Sequence, residues 1–512
     1  MHRIALGVGP LTESDVVAVA RHGAGVALAQ DAHAAIAASR KVVDALADDS
    51  EPHYGISTGF GALATKHIPA EQRALLQRSL IRSHAAGSGP EVEREVVRAM
   101  MLLRLSTLAT GHTGVRPATA AALAALLDRG ITPVVREFGS LGCSGDLAPL
   151  AHVALALIGE GTVRAADGVE GSAADVLRAH DIEPVALAEK EGLALINGTD
   201  GMLGQLLLAC HDLDLLLRTA DISAAMSVEA LLGTARVFAE DLQALRPHPG
   251  QALAAANMRA LLAGSPIIAS HAGPDCAYVQ DAYSMRCAPQ VAGAARDTLT
   301  HARAVAAREL ASAVDNPVVL DGRVESNGNF HGAPVAYVLD FLAIPAADVA
   351  SMSERRTDRM LDVARSRGLP PFLAADPGVD SGHMIAQYTQ AAVVSELKRL
   401  AMPASVDSIP SSAMQEDHVS MGWSAARKLR RSVDALTRVL AIEVLTAARA
   451  LDIRAPLQPG PATGAVVAAL REHVRGPGPD RHLSPEIEAA VEFVSSGAAV
   501  AAADAALPRP LR

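Results

Sequence analysis

Ser144 is the residue whose neighbours most invite a chemical reading. It lies in Gly142-Cys143-Ser144-Gly145-Asp146. A nucleophile elbow reads GxSxG, and Asp146 stands where the second glycine should be. Residues 395–398 (SELK) fit SxxK, but neither SDN nor KTG follows them. No Walker A motif, HExxH, dinucleotide fingerprint or metal-spaced His/Cys set occurs, so no metal is expected. A different chemistry suits the triplet Cys143-Ser144-Gly145. If the backbone is bent sharply there, the Gly145 amide nitrogen reaches the Cys143 carbonyl carbon. Loss of water closes a five-membered ring, and dehydration at Ser144 leaves an exocyclic alkene. The product is a methylidene-imidazolone, an electrophile made from the chain itself with no external cofactor. The cyclisation needs a last residue without Cβ and a β-hydroxyl in the middle. The first side chain takes no part. The plain alternative for a Ser-Gly pair is an ordinary turn.

The elements that would position such a group are helices. The chain has 512 residues and a net charge of −11; half of it is apolar but only 3% is aromatic. A core of Ala, Leu and Val favours helix. The acidic balance argues against nucleic acid as a partner. No uninterrupted apolar run reaches the roughly 18 residues of a membrane span, so no membrane is expected. Four cysteines (Cys143, Cys210, Cys276 and Cys287) form no framework, and no signal pattern opens the chain, which points to a reducing cytoplasm. Apolar positions 436, 439, 440, 444, 447 and 451 recur at helical spacing, and 201–238 and 387–400 read likewise. The best strand signals are 132–135 and 316–320. Breaks fall at 246–250, 367–378, 458–464 and 476–479, where Pro and Gly end helices. The Ala-rich tail after Val494 reads as loosely held.

Seven polar or Gly-rich stretches interrupt these helices without resembling solvent loops. They are 54–61 (YGISTGFG), 83–89 (SHAAGSG), 139–152 (GSLGCSGDLAPLAH), 197–200 (NGTD), 279–290 (VQDAYSMRCAPQ), 315–317 with 327–331 (DNP, NGNFH) and 415–418 (QEDH). Such dispersion suggests one site assembled from distant segments on a rigid scaffold. In order, from Tyr54 to about Leu451, these stretches resemble the aromatic amino acid ammonia-lyase family. The family usually has Ala-Ser-Gly as ring precursor, whereas Cys143 stands first here; since that side chain is not consumed, the ring should still form.

The resemblance implies roles. Tyr54 would be the base for the β-proton, with Tyr283 near substrate and electrophile. A Tyr base needs a pKa well below about 10, which helix N-termini and Arg286 would supply. Arg286 would grip the substrate carboxylate with its planar fork. Asn197 would hydrogen-bond the ring's carbonyl oxygen, Gln280 and Asn316 would orient substrate and ring, and Phe330 would form an apolar wall. Asp146 would help deprotonate the Gly145 amide during ring formation. For the Asn, Asp and Gln positions the bland alternative is capping or a turn.

His84 and Glu416 would line the far end of the pocket, where the substrate side chain lies. A carboxylate facing an imidazole gains a charge-assisted hydrogen bond, so Glu416 suits histidine. Relatives selective for phenylalanine have Gln there, and those selective for tyrosine carry His-Leu where this chain has Ser83-His84. Met384 stands where some relatives place Lys. The implied fold is all-α, a long central helical bundle of the fumarase/aspartase-like superfamily with an N-terminal domain bearing the ring-forming loop. In chain order this gives 1–200, then the bundle with substrate loops over 201–455, then a helical region and tail over 456–512. The implied assembly is a homotetramer with sites shared between subunits. The rivals are another substrate or an aminomutase within the family, and a helical scaffold that has lost the ring.

Overall fold

The computed structural model describes residues 3–49, 51–59, 61–273 and 279–512; Phe60 of the first loop and Cys276 lie outside them. About 59% of the chain is helical, which settles the class as all-α. Four helices exceed twenty residues among those described: Asp200–Ala230, Ala288–Leu310, Ala333–Leu361 and Gly422–Ile453. Strands are short and paired locally. Arg3–Leu6 runs parallel to Gly25–Leu28, and a hairpin joins Val318–Leu320 to Arg323–Glu325.

The periodic segments form helices as expected, with boundaries set by local chemistry. The apolar 201–238 stretch is helical only to Ala230; Leu232 then takes a left-handed φ of 51°, and a short 3-10 turn, Arg236–Phe238, follows. The proposed breaks at 246–250 and 458–464 prove to be starts, because Pro249 and Pro461 occupy first helical positions where no N–H is needed. The tail is not loose. Ala498–Ala505 is helical with Ala499, Val500 and Ala503 buried, Leu511 donates its N–H to Asp504, and Arg512 is tied to Asn257. By length and composition Ala333–Leu361 would be long and apolar enough to cross a membrane, contrary to the reading of the sequence. Its most apolar stretch is 61% buried inside the molecule, as in a core helix.

Two compact units form, each from three separated segments. The first comprises residues 1–211, 303–340 and 403–427. Its core is the Arg94–Ala109 helix, in which every residue from Val96 to Ala109 is buried. Two arginines lie within that helix, and both spend their donors on carbonyls elsewhere: Arg98 on Val19 and Leu127, Arg104 on Asn197 and Val314. The second unit comprises 212–302, 341–402 and 428–512. Inside it Glu443, fully buried, accepts two hydrogen bonds from Arg356 at 2.5 and 2.9 Å and one each from Ser223 and Ser227. Three of the long helices meet at that carboxylate.

All four contacts go to one charge, and a buried ion whose partner is neutralised costs several kcal/mol. Glu443→Gln should therefore lose about 3 kcal/mol of unfolding free energy in denaturant titration.

Candidate active site

The site begins with the backbone at residues 142–145. Ser144 has φ 48°, a left-handed conformation uncommon for a residue with a side chain, and Gly145 follows at φ 77°. Gly142 and Gly145 face each other as an antiparallel bridge, so Cys143 and Ser144 between them are folded tightly back. Gly145 also lies against Gly198, where an added Cβ would stand 2.0 Å from the carbonyl oxygen. No other residue type fits. A sharp bend of this kind is what the expected cyclisation would need.

Three neighbouring segments of the first unit hold the turn. Asp146 donates its N–H to Gly198 O at 2.8 Å, and Ser140 Oγ donates to the Asp146 carboxylate at 3.1 Å. The same carboxylate accepts from the Met202 N–H at 2.8 Å. From the other side Met421 N–H donates to Leu141 O, and the Trp423 indole donates to Glu137 O. Asp146 is fully buried, and burial pushes its carboxyl up to about 7. It can thus exchange a proton near neutrality, beside the amide that must lose one.

Two adjoining cavities, of about 430 and 630 Å³, share Tyr54, Gly61, Ser144 and Glu416 in their walls. The smaller adds His84, Asn197 and an apolar lining of Leu63, Ile68, Leu80, Leu147 and Leu193. The larger adds Cys143, Asn316, Phe330, His331, Gln415 and His418. Six of the sequence candidates, Tyr54, His84, Asn197, Asn316, Phe330 and Glu416, together with Cys143, are therefore brought around Ser144 by one unit. A cavity of about 660 Å³ in the other unit is lined by Glu240, His248, Arg259 and Arg512 among others, and holds none of the candidates. Size alone does not locate the chemistry.

Asn197 donates from Nδ2 to Asn316 O at 2.9 Å, while its Oδ1 is buried without a partner. Its own carbonyl is held by Arg104 at 2.6 Å. Asn316 Oδ1 accepts from Ser326 and Asn327. His84 uses Nδ1 on Leu80 O at 2.9 Å, and burial lowers its pKa. Gln280, Tyr283, Arg286 and Met384 belong to the second unit. There Arg286 stacks over the Tyr283 ring at 4.7 Å, and its Nε is buried without a hydrogen bond.

One expectation needs correction. The Tyr54 hydroxyl lies above the ordinary phenol value, not below it. Burial is the main cause, and the Glu416 and Asp315 charges add to it; the Gly61 N–H, donating to the phenol oxygen at 3.3 Å, opposes them. The Cys143 side chain, though outside the ring chemistry, is part of the larger cavity's wall. Burial, with Glu416 beside it, pushes the thiol up to about 11. Sequence reasoning passed over Ser411, Ser412 and Arg104, and gave no role to His331 and His418, whose rings stack at 5.3 Å. Only the two histidines carried a signal, as members of the NGNFH and QEDH stretches.

The protein-family model for aromatic amino acid lyases matches residues 11–472. A histidine ammonia-lyase of Streptomyces avermitilis is 66% identical over 98% of this chain and 99% of its own length. Among solved structures, a tyrosine aminomutase of Streptomyces globisporus is 39% identical with a TM-score of 0.94, each chain covered completely. A histidine ammonia-lyase of Trypanosoma cruzi is 38% identical with a TM-score of 0.91, covering 99% of this chain and 96% of that one.

A thiol held neutral to about 11 should resist alkylation. At about pH 8, where an ordinary thiol is substantially ionised, iodoacetamide should label Cys143 far more slowly than a free cysteine. Peptide mapping should show its rate climbing as pH approaches the shifted value.

Proposed function

The chain belongs to the aromatic amino acid lyase family, and from that premise we propose that it eliminates ammonia from L-histidine to give trans-urocanate. It is an ammonia-lyase; the substrate is our reading. The observation that carries it is one cavity whose wall holds Ser144, Tyr54, Asn197, His84 and Glu416 together. The 66% identity to the Streptomyces avermitilis relative supports the same substrate. The similarity to a tyrosine aminomutase keeps a second substrate in view, and Glu416 weighs against it. A phenyl ring offers the carboxylate no donor and a phenol one neutral O–H, whereas an imidazole can also take up a proton and pair with the carboxylate as a cation.

The residues fit a methylidene-imidazolone formed from Cys143-Ser144-Gly145. The turn is bent as cyclisation needs, Gly145 lacks the Cβ that would block it, and Asp146 stands beside the amide as proton acceptor. Once formed, that group supplies the electrophile that departure of an α-ammonium requires. The chain's own side chains do the rest. Tyr54 removes the β-proton, the Gly61 N–H stabilising its phenolate oxygen. The second amide hydrogen of Asn197 is available to an oxyanion at the ring position. Glu416 accepts from the substrate imidazole, with His84 beside it, and Asn316 and Phe330 set its orientation and apolar wall.

Arg286 binds the substrate carboxylate, with Tyr283 and Gln280 beside the reacting centre and Met384 at the pocket's edge. We assign these four to a site completed by a second subunit of a homotetramer in the cytoplasm. The wall around Ser144 supports this, since its described residues include Lys66 but no guanidinium to grip a carboxylate with two donors.

Purified protein given L-histidine and no cofactor should develop the conjugated urocanate absorbance, with ammonia in equal amount. Its intact mass should be two waters below that of the sequence. A flat trace from folded, unmodified protein would favour the scaffold reading. Glu416→Gln should lower kcat/KM for histidine by at least about tenfold, one charge-assisted hydrogen bond, while phenylalanine turnover rises relative to it.

A further inference from the structure

Glu416 sits at the end of an unusual turn. Ser412, Ala413 and Met414 have φ of 49°, 53° and 69°, three successive side-chain residues in left-handed conformation. Such residues cost of order 1 kcal/mol each and persist only where the surroundings over-determine them. Here Ser411 and Glu416 close the turn as an antiparallel bridge. Ser411 N–H donates to Glu416 O at 2.9 Å, and Glu416 N–H donates back at 3.3 Å. The same pair is joined by side chains, Ser411 Oγ donating to Glu416 Oε2 at 2.5 Å. The turn abuts the Tyr54 loop, where a Cβ on Gly61 would meet Ser412 Oγ at 2.8 Å.

A glutamate on a turn has three side-chain torsions to settle before its carboxylate points anywhere. The backbone bridge fixes its Cα, and the Ser411 hydroxyl fixes one oxygen. We propose that Ser411 is a positioning residue that holds Glu416 by Oε2 and so presents Oε1 to the substrate side chain. This rests on Glu416 being the side-chain acceptor. Ser411 touches no reacting atom. Its effect falls on substrate recognition, because what it removes is the freedom of the carboxylate to turn away.

The test is steady-state turnover of L-histidine by wild type, Ser411→Ala, Ser411→Thr, Glu416→Gln and the Ser411→Ala/Glu416→Gln double variant. Ser411→Ala should raise KM about tenfold, the worth of a hydrogen bond to a charged acceptor, with kcat changed less than about threefold. Ser411→Thr keeps the hydroxyl on an extended backbone that tolerates a β-branch (φ −136°, ψ 178°), and should restore KM. In the Glu416→Gln background, Ser411→Ala should cost less than about twofold in kcat/KM, because the carboxylate it serves is gone. Equal losses in both backgrounds, a fall in kcat alone, or no rescue by threonine would overturn the proposal. Failure of the Glu416 reading shows separately, as wild-type kcat/KM for histidine in Glu416→Gln. A wild type that does not turn over histidine overturns both.

Discussion

The candidate site depends on how closely two backbones approach, at Gly145 and Gly198. With any side chain at 145 the contact is lost, since its Cβ would stand 2.0 Å from a carbonyl oxygen. The approach places Asp146 N–H on Gly198 O and starts the Leu147–Leu157 helix one residue later. It also sets Asn197 beside Ser144. What fixes Asn197 is Arg104, whose guanidinium reaches that carbonyl from inside a wholly buried helix. The chain of causes runs outward from the core. Apolar packing fixes the Arg94–Ala109 helix, the helix fixes Arg104, Arg104 fixes the 197–200 loop, and the loop fixes the turn.

Burial also decides the charge state of the pocket. It raises Tyr54, Cys143 and Asp146 and lowers His84, each toward its neutral form. The walls are thus mostly uncharged hydrogen-bonding groups, with ionisable side chains at Lys66, Glu416 and Asp417. A low-dielectric cavity strengthens any hydrogen bond made to such a group and penalises leaving it unmade. On the proposed reading that combination discriminates between side chains of similar size, the apolar lining contributing volume and Glu416 the choice.

The sequence makes the long helices legible because 3.6-residue periodicity survives any packing arrangement, and it marks the ring turn because cyclisation demands particular atoms at Cys143, Ser144 and Gly145. Other features were hidden for identifiable reasons. Arg104 is one cation in an apolar run (MMLLRLSTL), and its role depends on a loop 93 residues away. Ser411 acts through a neighbour, so its type alone announces nothing. The tail was misread because alanine runs carry little periodic signal, while its anchors, Asp504 and Asn257, are single polar contacts. The direction of the Tyr54 shift could not be read at all. It depends first on burial in the folded pocket, and then on Glu416 and Asp315, 362 and 261 positions further along the chain.

That shift bears on how a phenol here can act as a base. Within its own unit, the charges that act on Tyr54 are both negative. Asp315 is fully buried and paired with Lys190, also fully buried, at 2.6 Å, so that lysine's charge is already engaged. Lys66 stands in the smaller cavity's wall, yet the Tyr54 hydroxyl is still raised, so on the proposed reading its ionisation calls for a further positive group. The same is true of the substrate carboxylate, which would otherwise enter a cavity already holding a negative charge. On the same reading Arg286 answers both demands, and it does not come alone. Its guanidinium lies over the Tyr283 ring, and its Nε is buried without a partner, so cation and phenol arrive as one preassembled pair. On the proposed reading, the element carrying that pair brings carboxylate recognition and base activation together. On that reading the tyrosine stays neutral without the cation, and loss of the β-proton becomes favourable only when the cation is in place.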